Sequence, residues 1–138
     1  MNILFVVKTI DFIDSQGIMQ LSALAKMKGH HTDLAILSRE DVIEKIRLWK
    51  PEIIAYSAST GEHKYYAKIN EVIKKNFPGI FTIMGGPHPT FFPETIFETT
   101  LDAICVGEGD EAFIEVIEAL EKGKDVSSIP NIHTKTKQ

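Results

Sequence analysis

The residues best suited to holding a ligand lie at the end of a short apolar run. Gly85 and Gly86 end the run Ile80–Met84, and Pro87 and His88 follow directly. Glycine has no Cβ, so a glycine pair lets the backbone come closer to a flat or bulky ligand than other residues allow. Proline fixes φ, and Pro87 is expected to stiffen a loop that displays His88. An ordinary tight turn between a strand and a helix has the same pattern, so these residues alone allow both interpretations.

Three further loops carry the small and polar residues that ligand sites use. They follow the first, third and fifth apolar runs, as Lys8–Gly17, Ser57–Gly61 and Gly107–Glu111. Hydroxyl groups can hydrogen-bond a polar tail, and glycines leave room for a large planar body. Carboxylates such as Glu108 are also favoured near any helix N-terminus, which is a purely structural explanation. The candidate binding residues are Asp14, Gln16, Gly17, Ser57, Ser59, Thr60, Gly85, Gly86, Pro87, His88, Gly107, Glu108 and Gly109.

The common catalytic and metal-binding patterns are missing from the sequence. His63 and His88 have no Cys or Asp partner at metal-ligand spacing, which argues against a zinc site. Cys105 lies inside an apolar run and is expected to be an inert core thiol. His30 and His31 fall in a turn at the other end of the strands, where we expect them to be solvated. No catalytic residue is therefore predicted, and whether the chain alone is an enzyme stays undecided.

The composition indicates one globular domain without a nucleic-acid or membrane partner. The chain has 138 residues, of which 43% are hydrophobic and 25% charged, with a net charge of −4. Phosphate binding needs a basic stripe, and the charges here are dispersed with an acidic excess. No apolar stretch approaches the length of a membrane span, and the N-terminus begins as a strand rather than a signal peptide. The single cysteine cannot form an internal disulfide, so we expect a cytoplasmic protein.

Five apolar runs alternate with segments of helical periodicity. This alternation is typical of βαβ units and a parallel sheet covered on both faces. We therefore predict a flavodoxin-like (Rossmann-like), doubly wound α/β sheet of five strands in the order 2-1-3-4-5. A polar loop is expected from Lys8 to Gln16, and residues 124–138 read as a linker after a domain of residues 1–123. Ligands bind such sheets at the carboxyl ends of the strands, where all four loops are expected to meet.

Other ligands at the same edge are less well supported. A phosphate receiver is disfavoured because strand one ends in Val7-Lys8 without an acidic pair, and strand three ends in Ser57 rather than Asp. Gly107-Glu108-Gly109 is no dinucleotide fingerprint, because it lacks the third glycine and follows strand five. A flavin or nucleotide would need a phosphate loop after strand one, where Lys8–Gly17 has a single glycine.

Three motifs, in this order, resemble the cobalamin-binding domain that precedes the catalytic barrel in B12-dependent radical SAM enzymes. They are Ser57-Ala58-Ser59, Gly85-Gly86-Pro87-His88 and Val106-Gly107-Glu108-Gly109-Asp110-Glu111. The resemblance covers residues 1–132, and Ser128–Asn131 is similar to the usual run into the barrel. It implies that the cobalamin tail runs between the strand-three and strand-four loops, contacting Ser57, Ser59 and Thr60, with the glycine pair letting it pass. The corrin ring would then lie over the Lys8–Gly17 loop and His88.

The resemblance also bears on the cobalt and on the rest of the enzyme. In the wider family, Asp-x-His-x-x-Gly after strand one supplies a histidine to the cobalt. With its glycine on Gly17, the aspartate and histidine positions hold Phe12 and Asp14. This implies cobalt binding without a histidine or other metal ligand from the protein. The chain also has no Cys-x-x-x-Cys-x-x-Cys, so an iron–sulfur cluster and SAM would belong to a separate, C-terminal radical SAM domain.

Two functions follow as expectations. The first is cobalamin binding for a methyltransferase or a related radical reaction on an unknown substrate. The alternative is a corrinoid-free interaction domain that keeps the fold and docks onto a catalytic domain. That alternative would be favoured if Phe12, Tyr56, Phe91 and Phe92 filled the groove. The oligomeric state is not indicated by the sequence.

Overall fold

The computed structural model describes residues 1–9 and 12–136, the side chains of residues 12–16 excepted. The strands are β1 (Asn2–Val7), β2 (His31–Ile36), β3 (Ile53–Ser57), β4 (Phe81–Gly85), β5 (Ala103–Cys105) and β6 (Ile132–His133). The helices are α1 (Phe12–Met27), α2 (Val42–Trp49), α3 (His63–Asn76), α4 (Pro87–Phe91), α5 (Thr95–Glu98) and α6 (Asp110–Glu121).

The described strands form one sheet in the order β2-β1-β3-β4-β5-β6. The first five are parallel, and β6 is antiparallel to β5 with Ile132 opposite Cys105. The flavodoxin-like prediction is confirmed, and the predicted order 2-1-3-4-5 is extended by a sixth strand. Because side chains alternate along a strand, the two faces of the sheet bury different residues.

Each face of the sheet has its own core among the described residues. Phe5, Ala55 and Ile83 pack with residues of α1 and α6 on one face, which we call the α1/α6 face. Val6 and Met84 pack with residues of α2, α3 and α5 on the other, the α2/α3 face. Parallel strands covered on both faces are continuously apolar, which explains why the strand runs could be recognised in the sequence.

Two local predictions were wrong, and a third segment packs more closely than expected. The loop expected from Lys8 to Gln16 is shorter, since α1 begins at Phe12 and runs through Gly17. A glycine inside a helix costs only about 1 kcal/mol, which does not stop an otherwise cooperative helix. Pro87 does not stiffen a loop but begins α4, where its missing N–H has no helical partner to lose. The segment expected to be a linker after residue 123 buries Val126 and Ile129 against the α1/α6 face.

Candidate ligand-binding site

A cavity of about 200 Å³ opens at the carboxyl end of the sheet on the α1/α6 face. Its lining comes from the ends of the strands, from α1, and from the loop that leads into α6. The residues that line it are Phe5, Gly17, Ile18, Leu21, Ala55, Tyr56, Ser57, Ile83, Gly85, Gly86, Cys105, Gly107, Gly109, Asp110, Phe113 and Ile132. Most of these are apolar or have no side chain.

The cavity exists because small residues stand side by side at the ends of three neighbouring strands. Ser57 pairs in register with Gly85. A Cβ added to Gly85 would lie 3.7 Å from the Cβ of Cys105, so these two residues are neighbours as well. A hydroxymethyl group, a hydrogen atom and a thiol leave space above the sheet that larger side chains would fill. Ser57, Gly85 and Cys105 therefore form the floor of the cavity.

The walls of the cavity are aromatic and aliphatic, with one carboxylate. The rings of Phe5 and Phe113 pack with their centroids 5.8 Å apart. The amide of Gln20 donates a 2.6 Å hydrogen bond to Asp110, which links α1 to the start of α6. Burial raises the pKa of the Cys105 thiol, so this side chain is neutral near pH 7. The site therefore suits an apolar, planar group with few polar atoms.

Six of the predicted binding residues line this cavity. They are Gly17, Ser57, Gly85, Gly86, Gly107 and Gly109. The prediction that several loops meet at the carboxyl edge holds for these residues. The side chains of Asp14 and Gln16 lie outside the described residues.

The predicted passage between the strand-three and strand-four loops is closed. The Ala58 N–H donates to the Gly85 carbonyl, and the His88 N–H donates to the Ala58 carbonyl, each at 2.9 Å. A Cβ on Gly86 would lie 2.9 Å from both the nitrogen and the oxygen of Ala58. The loops thus continue the pairing of β3 and β4 beyond the strands. Gly86 allows this close contact between the two loops. The open space of the cavity lies above Gly85, on the α1/α6 face.

The remaining predicted residues lie away from the cavity. His88 is buried, and its ring stacks on His63 with the centroids 3.5 Å apart and on Phe92 at 5.1 Å. Its Nδ1 forms a 3.2 Å hydrogen bond with the Thr60 hydroxyl. His88 is therefore not displayed to a ligand in the cavity. The side chain of Ser59 hydrogen-bonds Glu62, and neither it nor Pro87 lines the cavity.

Glu108 and His30 both lie outside the lining of the cavity. Glu108 is exposed and borders a separate acidic pocket with Glu111 and Asn131. His30 is buried rather than solvated, and its ring nitrogens have partners: Nδ1 lies 2.9 Å from the N-terminal amine and Nε2 lies 3.6 Å from Glu121. A histidine in a turn can be buried when chain termini and helix ends from elsewhere cover it, which no local pattern shows.

Sequence reasoning missed the residues that give the cavity its apolar character. Phe5, Ala55 and Ile83 lie inside strands and were interpreted as core, while Phe113 belongs to the core face of α6. A signal was present, because the period-2 alternation puts Ala55, Ser57 and Gly85 on one face, where three small residues at strand ends predict a gap. The sequence offered no comparable sign for Ile132, which reaches the cavity through β6.

The stacked histidines have altered acidity. Burial is the main cause that lowers the pKa of His88 below the ordinary 6.5, followed by the charge of His63, while Glu98 and Glu94 oppose the shift. Burial also lowers the pKa of His63, with help from Lys64 and against Glu98. Both rings are therefore neutral at pH 7. In residues 1–9 and 12–136, no group of three His, Cys, Asp or Glu side chains is placed to hold a metal ion.

Comparison with known proteins identifies the family. The model of the B12 binding domain matches residues 6–117, which include all the residues that line the cavity except Phe5 and Ile132. The chain belongs to the B12-binding domain family. The family predicted from the three motifs is thus confirmed. The match ends before β6, although Ile132 contributes to the cavity of this B12-binding domain.

The relatives of this B12-binding domain are longer proteins. An uncharacterized methyltransferase of Pyrococcus horikoshii is 30% identical over 79% of this chain and 26% of that protein. A hopanoid C-3 methylase of Methylococcus capsulatus is 24% identical over 87% of the chain and 25% of that protein. A cobalamin-dependent radical SAM methyltransferase of Streptomyces tokunonensis is 27% identical over 60% of the chain and 13% of that protein. The chain therefore spans about a quarter or less of the length of these relatives.

Solved structures support the fold. The isolated receiver domain of RcsB from Salmonella enterica superposes with a TM-score of 0.64 at 16% identity, with 91% of each chain covered. A likeness at this identity shows a shared flavodoxin-like fold and nothing about function. Among the described helices, none combines the length and the apolar character that a membrane span requires.

Proposed function

We propose that this chain is the cobalamin-binding domain of a cobalamin-dependent radical SAM enzyme that carries out methyl transfer or a related radical reaction. The observation that carries the proposal is the cavity at the carboxyl edge, lined by five glycines and apolar side chains within a B12-binding domain. The radical SAM part is supported by the Streptomyces relative, which is named as a cobalamin-dependent radical SAM methyltransferase, and methyl transfer is also supported by the relative from Pyrococcus horikoshii, which is named as a methyltransferase.

The size of the cavity fits one arm of a cobalamin. A dry apolar cavity of about 150 Å³ binds benzene, so about 200 Å³ suits a fused bicyclic ring such as dimethylbenzimidazole. A pocket for a whole drug-sized ligand measures about 300 Å³ or more. The nucleotide base of the tail would enter the cavity, and the much larger corrin ring would stay outside it. Gly17 and Gly107 at the mouth of the cavity support a corrin ring that stays outside it. A Cβ added to either glycine would have no atoms within 4 Å, so there is open space next to them.

The residues of the cavity have distinct roles in this proposal. Phe113, Ile18 and Ile83 would enclose the base and exclude water from it. The hydroxyl of Ser57 can hydrogen-bond a polar atom of the tail, since its side chain is half-buried at the floor. When bound, cobalamin supplies a cobalt centre for methyl transfer. The iron–sulfur cluster and SAM would come from a C-terminal radical SAM domain, because the sequence lacks the cysteine motif for the cluster.

The direct test is a titration of hydroxocobalamin into the purified chain, followed by absorbance spectroscopy. The proposal expects a saturable shift of the corrin bands with one cobalamin per chain. It also expects a rise in melting temperature with cobalamin concentration, because a ligand that binds only the folded state stabilises it. No spectral change at high micromolar cobalamin would contradict the proposal.

An interaction domain without a corrinoid is the second candidate function. The observation that favours it is the exposure of three phenylalanines close in sequence, Phe91, Phe92 and Phe97, of which Phe91 is 75% exposed. Exposed apolar surface can mark a contact with another protein. Against it, Phe91 and Phe92 do not fill the cavity, and the Tyr56 hydroxyl turns to Asn70 on the α2/α3 face. A failed cobalamin titration would favour this second function.

A further inference from the structure

Thr90 in α4 connects two of the loops that form the mouth of the cavity. Its hydroxyl donates a 2.8 Å hydrogen bond to the carbonyl of Gly86. The same oxygen accepts a 3.0 Å hydrogen bond from the N–H of Gly107. Both glycines line the cavity, whereas Thr90 itself does not. One hydroxyl thus bridges the loop after β4 and the loop after β5.

The bridge lies where the sheet no longer holds these loops together. The pairing of β4 with β5 consists of Ile83 with Ala103 and Met84 with Ile104. Beyond it, Gly86 and Gly107 have φ angles of +97° and +91°. Neither glycine has a side chain that could hold its loop in place. The hydrogen bonds of the Thr90 hydroxyl therefore hold the two loops together where the backbone pairing of β4 with β5 has ended and the cavity opens.

The other side of the β5 loop is held by the segment that leads into β6. The Val106 N–H donates a 2.8 Å hydrogen bond to the Asn131 carbonyl. The Asn131 amide also donates to the carbonyl of Glu108 at 3.4 Å. The Cys105 thiol also donates a long hydrogen bond, of 3.8 Å, to the Glu108 carbonyl. None of these bonds joins the loop to the loop after β4, so without Thr90 the β5 loop could move away from β4.

We infer that Thr90 is a positioning residue that sets the width of the cavity mouth and thereby the affinity for the nucleotide tail of a corrinoid. This inference rests on the proposed function. A threonine in a helix often bonds the carbonyl four residues before it, and the bond to Gly86 alone would be such a local contact. The bond to Gly107 crosses 17 residues and connects two elements, which a local contact does not do.

The experiment compares three variants of the chain for their dissociation constant with hydroxocobalamin. Thr90→Val keeps the shape and removes both hydrogen bonds, and Thr90→Ser keeps the hydroxyl. Thr99→Val is the matched control, since the Thr99 hydroxyl also donates to the carbonyl four residues before it, at 2.9 Å, and accepts from a backbone N–H, at 3.4 Å. Thr99 does not line the cavity or bridge its loops.

We expect Thr90→Val to weaken cobalamin binding about tenfold, as the loss of hydrogen bonds predicts. Thr90→Ser and Thr99→Val should bind within about twofold of the unsubstituted chain, and the melting temperatures of the two valine variants without ligand should be similar. Cobinamide, which lacks the nucleotide tail, should bind Thr90→Val and the unsubstituted chain equally. The cobinamide comparison therefore distinguishes an effect of the substitution on the mouth of the cavity from an effect on the whole fold.

The outcomes distinguish the inference from the proposed function. If the unsubstituted chain binds cobalamin and Thr90→Val binds it equally well, the role of Thr90 is wrong and the function stands. The role is also wrong if Thr99→Val loses as much affinity, or if Thr90→Val loses cobinamide in the same proportion. If the unsubstituted chain binds no cobalamin, the proposed function and the inference both fall.

Discussion

Two adjacent glycines, Gly85 and Gly86, are required for different physical reasons. Gly86 has a φ of +97° and packs directly on the backbone of Ala58, so any side chain there meets both strain and collision. Gly85 belongs to β4, and an added Cβ would meet only Cys105, at an ordinary contact distance of 3.7 Å. A side chain at Gly85 would therefore occupy the floor of the cavity without disturbing the backbone.

Gly85→Val is accordingly the substitution that tests the cavity. We expect it to lower cobalamin affinity more than tenfold, because the isopropyl group fills space that the tail needs. Stability should change by less than about 1 kcal/mol, since valine suits a strand and loses less conformational entropy than glycine. Affinity is measured by titration and the free energy of unfolding by urea denaturation.

A matched control is Gly79→Val, at an exposed glycine near the opposite edge with nothing within 4 Å of an added Cβ. It should bind cobalamin like the unsubstituted chain. Unchanged affinity in Gly85→Val, with the fold intact, would exclude this cavity as the site of the tail.

At the level of elements, α3 and α4 are joined by the stacked rings of His63 and His88. The Gly61 N–H donates to His63 Nδ1 at 3.1 Å, and Thr60 bonds His88, so both rings are held from the loop after β3. The pKa values of both rings are lowered chiefly by burial, and next by the charge of His63 for His88 and by that of Lys64 for His63. The contact between these two helices therefore depends on both imidazoles being neutral.

The lowered pKa values of the two stacked histidines predict that the free energy of unfolding falls on acidification. Since the pKa values are lower in the folded chain, the unfolded chain binds more protons below the ordinary value of 6.5. The stabilisation is fully present above that value and is lost as pH falls through the folded-state pKa values. Urea denaturation at pH 7.5 and at pH 5.0 should show the loss, and His63→Phe should reduce it, because phenylalanine keeps a ring that cannot be protonated.

His31→Gln is the control for this titration, since it removes an exposed histidine on β2. Its pH dependence should match that of the unsubstituted chain. If His63→Phe loses as much stability on acidification as the unsubstituted chain, the acid sensitivity arises elsewhere in the molecule.

For the whole molecule, the structure bears on what could approach the cobalt of a bound cobalamin. Within the described part of the chain, no histidine lines the cavity. His88 is held between His63 and Phe92 with Thr60 on its Nδ1. The segment Lys8–Gly17, which supplies a histidine in the wider family, contains none. Imidazole is a common protein ligand for such metals, and among the residues that the structure describes none lines the cavity.

We therefore predict that cobalamin binds without a nitrogen ligand on its lower face. Its own base would be held in the cavity, and the protein would supply no histidine. Electron paramagnetic resonance of the Co(II) form bound to the chain should lack superhyperfine splitting from an axial nitrogen. Free Co(II) cobalamin at neutral pH, with its base coordinated, is the reference that shows the splitting. If the bound form shows it too, the prediction is wrong, and its loss in His88→Ala would identify His88 as the ligand.

Much of the fold of this molecule can be predicted from local sequence patterns. The continuously apolar runs predict strands buried on both faces, and their alternation with helical periodicity predicts a parallel sheet. The rule that ligands bind at the carboxyl ends of such strands correctly brings Ser57, Gly85 and Gly107 to one cavity. These inferences succeed because strand periodicity and chain direction are properties of short segments.

Tertiary structure alone decided which face carries the cavity and how it is closed. The hydrogen bonds that join Ala58 to Gly85 and to His88 connect segments about 30 residues apart, and they close the passage expected between two loops. Ile132 completes the wall only because β6 pairs with β5 in the opposite direction. Non-local pairing depends on the register and packing of the whole sheet, which no local pattern contains. The glycines could thus be identified in the sequence, but the space they open could be located only in the fold.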